Sequence, residues 1–269
     1  MARTPDGPPP EPAVQRLRLR YAKRGRLRFA SHRDFQRSFE RALRRAGVPM
    51  AYSAGFSPHP RISYANAAPT GAASEAEYLE IAVTARCDAG LLRAALDEAL
   101  PPGLDVVEVV EARTPAFAER LEASVWRVEL PGVAPAEARA ALAAFLEADE
   151  VQVERLTKNG VRIFDARGAV VRAEVAEVAE GDASEPEGGL PQGIGDPCAI
   201  LHLVVRHTTP AVRPDDVLSA LRSHAHLAPP SSARMTRLAQ GPLDEEVGSV
   251  ADPLTADRGV DGARHVPRA

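Results

Sequence analysis

Cysteine, aromatic side chains and long apolar runs are all scarce in this chain. The scarcity of cysteine and that of long apolar runs each exclude a class of protein. The two cysteines, Cys87 and Cys198, form neither a CxxC pair nor a zinc-type spacing, so no disulfide framework is expected. No uninterrupted apolar run approaches the roughly 18 residues of a membrane span. The N-terminal MARTPDGPPPEPA lacks the apolar core of a signal peptide. We therefore expect a soluble, cytoplasmic protein with no membrane segment.

Common catalytic motifs are missing as well. The seven histidines include no HxxxH or HExxH pair, so no metal site is expected. There is no GxSxG elbow and no glycine-rich phosphate loop of the nucleotide-binding kinds. These absences argue against hydrolases, kinases and NAD-dependent enzymes, and they indicate no cofactor. An unfamiliar active site stays open.

Positive charge, by contrast, is concentrated in one block. The whole chain carries a net charge of −4, yet the segment from Val14 to Ser63 holds thirteen Lys and Arg against two Asp and Glu, a local charge of +11. The remainder of the chain is therefore at −15. A basic block inside an acidic chain predicts a polyanionic partner.

Within this block, residues 16–21 (RLRLRY) alternate with period two, which predicts a strand with one apolar face and one arginine face. Lys23-Arg24-Gly25 reads as a turn, after which Leu27 and Phe29 resume the alternation. An arginine face of this kind is either a solvated sheet surface or a binding surface.

A cationic helix follows, and it is predicted to begin at Ser31 with an S-x-x-D capping box. Phe35, Phe39, Leu43 and Ala46 share one apolar face, which leaves the arginines at the surface. Gly47 suits the left-handed position after the helix, and Pro49 prevents continuation.

Next comes the loop GFSPHPR, in which prolines on both sides restrain His59. His59 could contact a phosphate, stack on a base, act as a general base or simply be structural. His32 is the other candidate acid or base, with a structural role or a phosphate contact as its alternatives. The candidate nucleic-acid-binding residues are Arg33, Arg37, Arg41, Arg44, Arg45, Ser57, His59 and Arg61.

The order of elements predicts an α+β fold with two ferredoxin-like (βαββαβ) units in tandem and disordered N- and C-terminal tails. We expect a disordered N-terminus over 1–13, a basic first unit over 14–113 and a connector over 114–123. The second unit is expected over 124–240, with an Asn159-Gly160 hairpin turn and an acidic loop at 180–197. A disordered tail over 241–269 completes the prediction.

The run SHRDFQRSFERALRRAGVPMAYSAGFSPHPRISYANAAPTGAASEAEYLEI (31–81) resembles the bacterial domain of unknown function linked to radical-SAM proteins. The resemblance implies the stand-alone actinobacterial form of a domain that elsewhere is fused behind a cobalamin-binding radical-SAM enzyme, often beside genes for ribonuclease E/G. A radical-SAM cluster needs three closely spaced cysteines, which Cys87 and Cys198 cannot supply. The chain is therefore not expected to perform radical-SAM chemistry.

Three functions are compatible with these features. The first is a non-catalytic RNA-binding module (for tRNA, rRNA or mRNA) in RNA modification or processing, working beside a radical-SAM enzyme or ribonuclease E/G. The second is an RNA-processing or RNA-modifying enzyme with His59 or His32 as acid or base. The third is a protein-interaction adaptor with an acidic partner.

Overall fold

A computed structural model describes residues 10–158, 160–176 and 197–258. The chain divides into two units. The first unit comprises the described residues up to Glu119 together with 253–258, and the second runs from Arg120 to Asp252. Asn159, nearly all of the predicted acidic loop and the chain ends at 1–9 and 259–269 lie outside the described residues.

The first unit contains four strands and two helices. They are β1 (Gln15–Lys23), α1 (His32–Arg45), β2 (Ile62–Ala65), β3 (Ala73–Val83), α2 (Ala89–Ala99) and β4 (Leu104–Glu111). Strand β1 lies between β4 and β3, β2 pairs with β3, and these pairings are antiparallel. Both helices pack on one face of the sheet, where a core of leucine, valine and three aromatic side chains is buried.

The second unit contains eight strands and two helices. They are β5 (Ala123–Pro131), α3 (Pro135–Glu147), β6 (Gln152–Thr157), β7 (Gly160–Asp165), β8 (Val170–Val175), β9 (Cys198–Arg206), α4 (Pro214–Ala225), β10 (Arg234–Gly241), β11 (Leu243–Asp244) and β12 (Ser249–Val250). Four of these strands form an antiparallel sheet in the order β10–β5–β9–β8, while β6 with β7 and β11 with β12 form separate hairpins. Helices α3 and α4 pack together, and α3 also contacts β8 and β9.

Helix α1 begins and ends where the sequence predicts. The Ser31 hydroxyl accepts a hydrogen bond from the Asp34 amide at 3.2 Å and donates to the Asp34 carboxylate at 2.6 Å. That hydroxyl bond is the main reason why the pKa of Asp34 is lowered. Phe35, Phe39 and Leu43 are buried, and the helix stops before Gly47, whose φ of +64° favours glycine.

Two predictions about local structure were wrong. Leu27 and Phe29 do not continue the strand: residues Gly25–Phe29 form a 3-10 helix, because the left-handed turn at Gly25 breaks the extended path. The tail predicted to be disordered from 241 is ordered as far as 258. It forms the β11–β12 hairpin and a 3-10 helix at Thr255–Asp257.

The ordered end of this tail is held to the first unit by a buried ion-pair network. Arg18 is 2% exposed, and its guanidinium donates to Asp257 at 2.5 Å and to Glu80 at 3.0 Å. Asp257 also accepts from the Thr114 hydroxyl and from the backbone amides of Arg113 and Thr114. An unpaired charge at this depth would be strongly destabilising, so Arg18 requires these carboxylates.

The protonation of Asp257 follows from its partners. Burial on its own would raise the pKa of this carboxyl, but the hydrogen bonds from Thr114 and Arg18 outweigh it and lower the pKa to about 2. A carboxyl whose pKa is depressed in the folded state stabilises that state above its unfolded pKa, near 3.9. That stabilisation disappears as the pH falls towards 2.

We predict that Asp257→Asn lowers the free energy of unfolding by about 2–3 kcal/mol at pH 7. The gap between the variant and the parent protein should narrow between pH 5 and pH 2, since the parent then loses the same charge. Urea unfolding at a series of pH values measures both effects. Asp149→Asn, at an exposed carboxyl, is the control, and a gap that stays constant down to pH 2 would contradict this role of Asp257.

Candidate functional site

The exposed side of helix α1 is a cationic surface. Its five arginines, hereafter the α1 arginines, are all exposed, and none forms an ion pair with a described residue. They are Arg33, Arg37, Arg41, Arg44 and Arg45. Among the described residues, Arg41 donates to the Ser38 hydroxyl at 3.1 Å and Arg45 donates to the Ala99 carbonyl at 3.3 Å. These guanidinium groups therefore keep most of their donors available to a partner.

Several of the other cations of the basic block are neutralised inside the first unit. Arg16 and Arg18 share the Glu80 carboxylate, and Arg24 is bound by Glu75 and Asp105. Hydrogen bonding to Glu75 is the main reason why the pKa of Arg24 is raised.

Two further cations of β1 donate to backbone carbonyl groups: Arg20 to Glu75 and Lys23 to Pro69. The row of arginines predicted along an extended strand is therefore interrupted. Arg18 is buried as an internal structural cation, while Arg26 and Arg28 belong to the 3-10 helix. The net charge of the block overstates the charge that it presents at the surface.

The GFSPHPR loop is the tip of a short backbone ladder. The Ser53 amide donates to the His59 carbonyl at 2.9 Å, and the His59 amide donates to the Ser53 hydroxyl at 3.0 Å. Tyr52 forms a bridge with Pro60, and the Arg61 amide donates to the Ala51 carbonyl. The side chains of His59 and Arg61 are exposed, as is Ser57 at the tip, so the backbone is fixed while the side chains remain accessible.

His59 and Arg61 line a cavity of about 200 Å³ together with Arg16, Ser53 and Ser63. A larger cavity of about 490 Å³ adjoins it, and Arg16, Ser63 and Glu80 line both. We call the two together the outer groove. Its larger part is walled by mostly apolar residues from the connector and from two strands: Ala65, Ala112, Pro115, Ala116, Phe117 and Ala118.

The outer groove and the α1 arginines belong to different layers of the first unit. Leu79 and Ile81 of β3 point into the core beneath the helices, so Glu80 between them points to the other face. Ser63 pairs with Glu80 and lies on that same face. The predicted site residues are thus divided: the five α1 arginines lie in the helix layer, and His59 and Arg61 lie at the groove.

His32 is placed apart from His59, at the first turn of α1. Its ring contacts the Tyr64 ring edge-on at 4.9 Å, and its Nε2 lies 3.1 Å from the Gln36 side-chain nitrogen. The Tyr64 hydroxyl is buried and has no hydrogen-bond partner among the described residues. Burial raises the pKa of Tyr64 above its usual value.

Neither cysteine has an activated thiol. Burial raises the pKa of both Cys87 and Cys198, which favours the protonated and unreactive form. In the part of the chain that the structure describes, no three His, Cys, Asp or Glu side chains are grouped as metal ligands. No helix there is long and apolar enough to cross a bilayer.

The outer groove was not predicted from the sequence. Its walls come from β1, β2, β3 and the connector, and their side chains meet only through strand register. The available signals were the glutamate inside the apolar run of β3 and the small residues around Phe117, neither of which specifies a cavity. The predicted set also omitted Arg16, which the groove places beside His59 and Arg61.

The architecture defines an α+β protein of two units, each with an antiparallel sheet and two helices. Residues 16–214 match a family described as an uncharacterised protein conserved in bacteria, DUF2344, and the chain belongs to that family. The match agrees with the resemblance to a bacterial domain of unknown function, whereas the radical-SAM link stays a prediction. No protein with a curated description matches the chain.

Proposed function

We propose that this protein is a non-catalytic, cytoplasmic RNA-binding module that acts in RNA modification or processing. The observation that carries the proposal is the set of five exposed α1 arginines, which have no ion-pair partner among the described residues. Neighbouring arginines such as Arg18 and Arg24 are neutralised by carboxylates, whereas these five are available to an external polyanion. Guanidinium groups bind phosphates in a planar, bidentate way.

The arrangement of strands supports a further part of this proposal. In each unit the pairing places the first and third strands of a βαββαβ series at the centre of an antiparallel set, and the second unit carries the β6–β7 hairpin as an insertion. We propose that both units are ferredoxin-like on this basis. Because that fold serves many functions, the α1 arginines and not the fold carry the RNA assignment.

The proposed partner enzyme follows from the resemblance rather than from the geometry. A module that binds RNA but lacks the three-cysteine motif would hold a substrate for a separate enzyme, such as a radical-SAM enzyme or ribonuclease E/G. The RNA would be a tRNA, rRNA or mRNA segment with single-stranded parts.

The salt dependence of RNA binding tests the main proposal. If each α1 arginine neutralises one phosphate of a single strand, log K should fall with log salt at a slope of about −3.5. The combined variant Arg37→Gln, Arg41→Gln and Arg44→Gln should reduce that slope to about −1.4, since three contacts are lost. Glutamine keeps the helix propensity, so the helix should persist.

Fluorescence anisotropy with a labelled single-stranded RNA at several salt concentrations provides the measurement. The matched control changes exposed arginines on the other helices to glutamine, at Arg93, Arg139 and Arg222, and it alters net charge equally. An equal loss of slope in the control, or no loss in the α1 variant, would contradict the proposal.

The second candidate function is an RNA-processing enzyme. One observation favours it: His59 lies in the same cavity as Arg16 and Arg61, an imidazole next to two guanidinium groups. Such a set could deprotonate a ribose hydroxyl and stabilise a phosphorane-like transition state.

Under that reading, His59→Ala should abolish cleavage or modification of an RNA substrate while leaving its affinity within about twofold. Turnover and binding are compared on the same RNA, with His224→Ala, at an exposed histidine on α4, as the control. Turnover that persists unchanged in His59→Ala would remove this function.

A further inference from the structure

We propose that the outer groove of the first unit binds one nucleoside monophosphate unit, with the phosphate at the His59 end and the base at the Phe117 end. The proposal assigns a ligand class to a cavity that is separate from the α1 arginines. Where the nucleotide is part of an RNA, it rests on the RNA binding proposed above. The groove's two ends differ in charge and polarity.

The smaller end suits a phosphate. Arg16 is fixed by the bond from its Nη1 to Glu80 at 2.9 Å, yet its side chain is 55% exposed, so further N–H donors face outward. Arg61 and His59 are exposed beside it. The Ser53 hydroxyl accepts from the His59 amide, which leaves its own O–H to donate to a ligand. These groups are charged or hydrogen-bonding donors around one cavity, as anion recognition requires.

The charge balance points to the same end. Arg18 and Arg16 are offset by Glu80 and Asp257, because each of these arginines is bound to at least one of the two carboxylates. Arg61 has no ion-pair partner among the described residues. The surplus positive charge therefore lies at Arg61, beside His59 in the smaller cavity.

The larger end suits a flat, mostly apolar group. Four alanines and Pro115 leave the space open, and Phe117 contributes an aromatic wall backed by Arg18, whose guanidinium carbon lies 4.8 Å from the ring centroid. Its volume of about 490 Å³ is within the range of small-ligand pockets. Glu119 adds a polar group that could meet the edge of a base.

Backbone strain marks the same wall. Ala116 has a φ of +53°, a left-handed conformation that residues with a Cβ rarely adopt. Strained residues of this kind gather at ligand sites, where the surrounding structure holds them. Ala116 directly precedes the 3-10 helix Phe117–Arg120, and both Ala116 and Phe117 line the apolar end.

Isothermal titration of the full-length protein with AMP and UMP tests the assignment. Adenosine and inorganic phosphate are the partial ligands, and each should bind at least about tenfold more weakly than AMP, because each fills one end only. Phosphate binding as tight as AMP binding would reduce the groove to an anion site and overturn the proposal. So would the absence of AMP binding at millimolar concentrations.

Variants locate the binding. Arg61→Gln should weaken AMP binding about tenfold or more, since it removes a charge-assisted hydrogen bond. Ser63→Phe, at an exposed strand position between the two cavities, should abolish it. Arg139→Gln, at an exposed arginine on α3, is the control and should leave AMP binding unchanged. AMP affinity that survives both groove variants would overturn the proposal.

An RNA arm distinguishes the source of the nucleotide. Loss of affinity for a 5′-phosphorylated RNA in Arg61→Gln would assign the groove to the end of the RNA, and unchanged RNA affinity would assign it to a free nucleotide. The α1 triple variant separates the two proposals. If this variant keeps both its AMP binding and its RNA affinity, the proposed RNA binding by the α1 arginines is contradicted, while the groove assignment stands.

Discussion

A guanidinium group that is buried against a sheet must be paired with carboxylates close by. In the first unit, Arg18 is such a group. Its charge is met by Glu80 on the neighbouring strand and by Asp257, which lies 239 positions further along the chain. The C-terminal segment therefore returns to the first unit after the second is complete. Without either carboxylate, a charge would be left without its full pairing at low dielectric, and the folded state would lose several kcal/mol of stability.

The same network decides which positive charges reach the solvent. Arg16 and Arg18 are tied to Glu80 and Asp257, and Arg24 is tied to Glu75 and Asp105. The row of arginines on α1 is exposed, and so is Arg61, which lies beside His59 at the groove. We propose that the first, an exposed helix face, contacts a phosphate backbone and that the second, a cavity, holds one nucleotide. Extended and local recognition would thus use opposite layers of one small sheet.

Much of the fold could be predicted from local signals. The Ser31 cap, the Phe35–Phe39–Leu43 stripe and the Gly47 stop describe α1 completely, because a helix end and its apolar face are set by neighbouring residues. The strand β1 was also predicted, but its continuation past Gly25 was not, since alternation alone does not reveal a left-handed turn. The ordered segment up to Asp257 was missed because it has no apolar period: the buried Asp257 carboxylate, the buried Leu254 side chain and the Arg258–Glu108 ion pair hold it.

The candidate site was predictable only in part for a related reason. Residue type identified the arginines and a restrained histidine. Which of these side chains are buried depends on carboxylates that are distant in the sequence, and the local pattern does not show them. Arg18 and Arg37 look alike in the sequence, yet one is 2% exposed and the other faces solvent. The outer groove depends on strand register and on the connector, so no single segment contains its pattern.

The central claim is that RNA lies along the exposed side of α1. Ultraviolet crosslinking of the full-length protein to RNA in cells, followed by mass spectrometry of the crosslinked peptides, tests it most directly. A protease other than trypsin is needed, because trypsin would cut this arginine-rich helix into very short fragments. We expect crosslinked nucleotides on peptides that include His32–Arg45. Crosslinks confined to Arg120–Asp252, or none above a non-irradiated control, would contradict it.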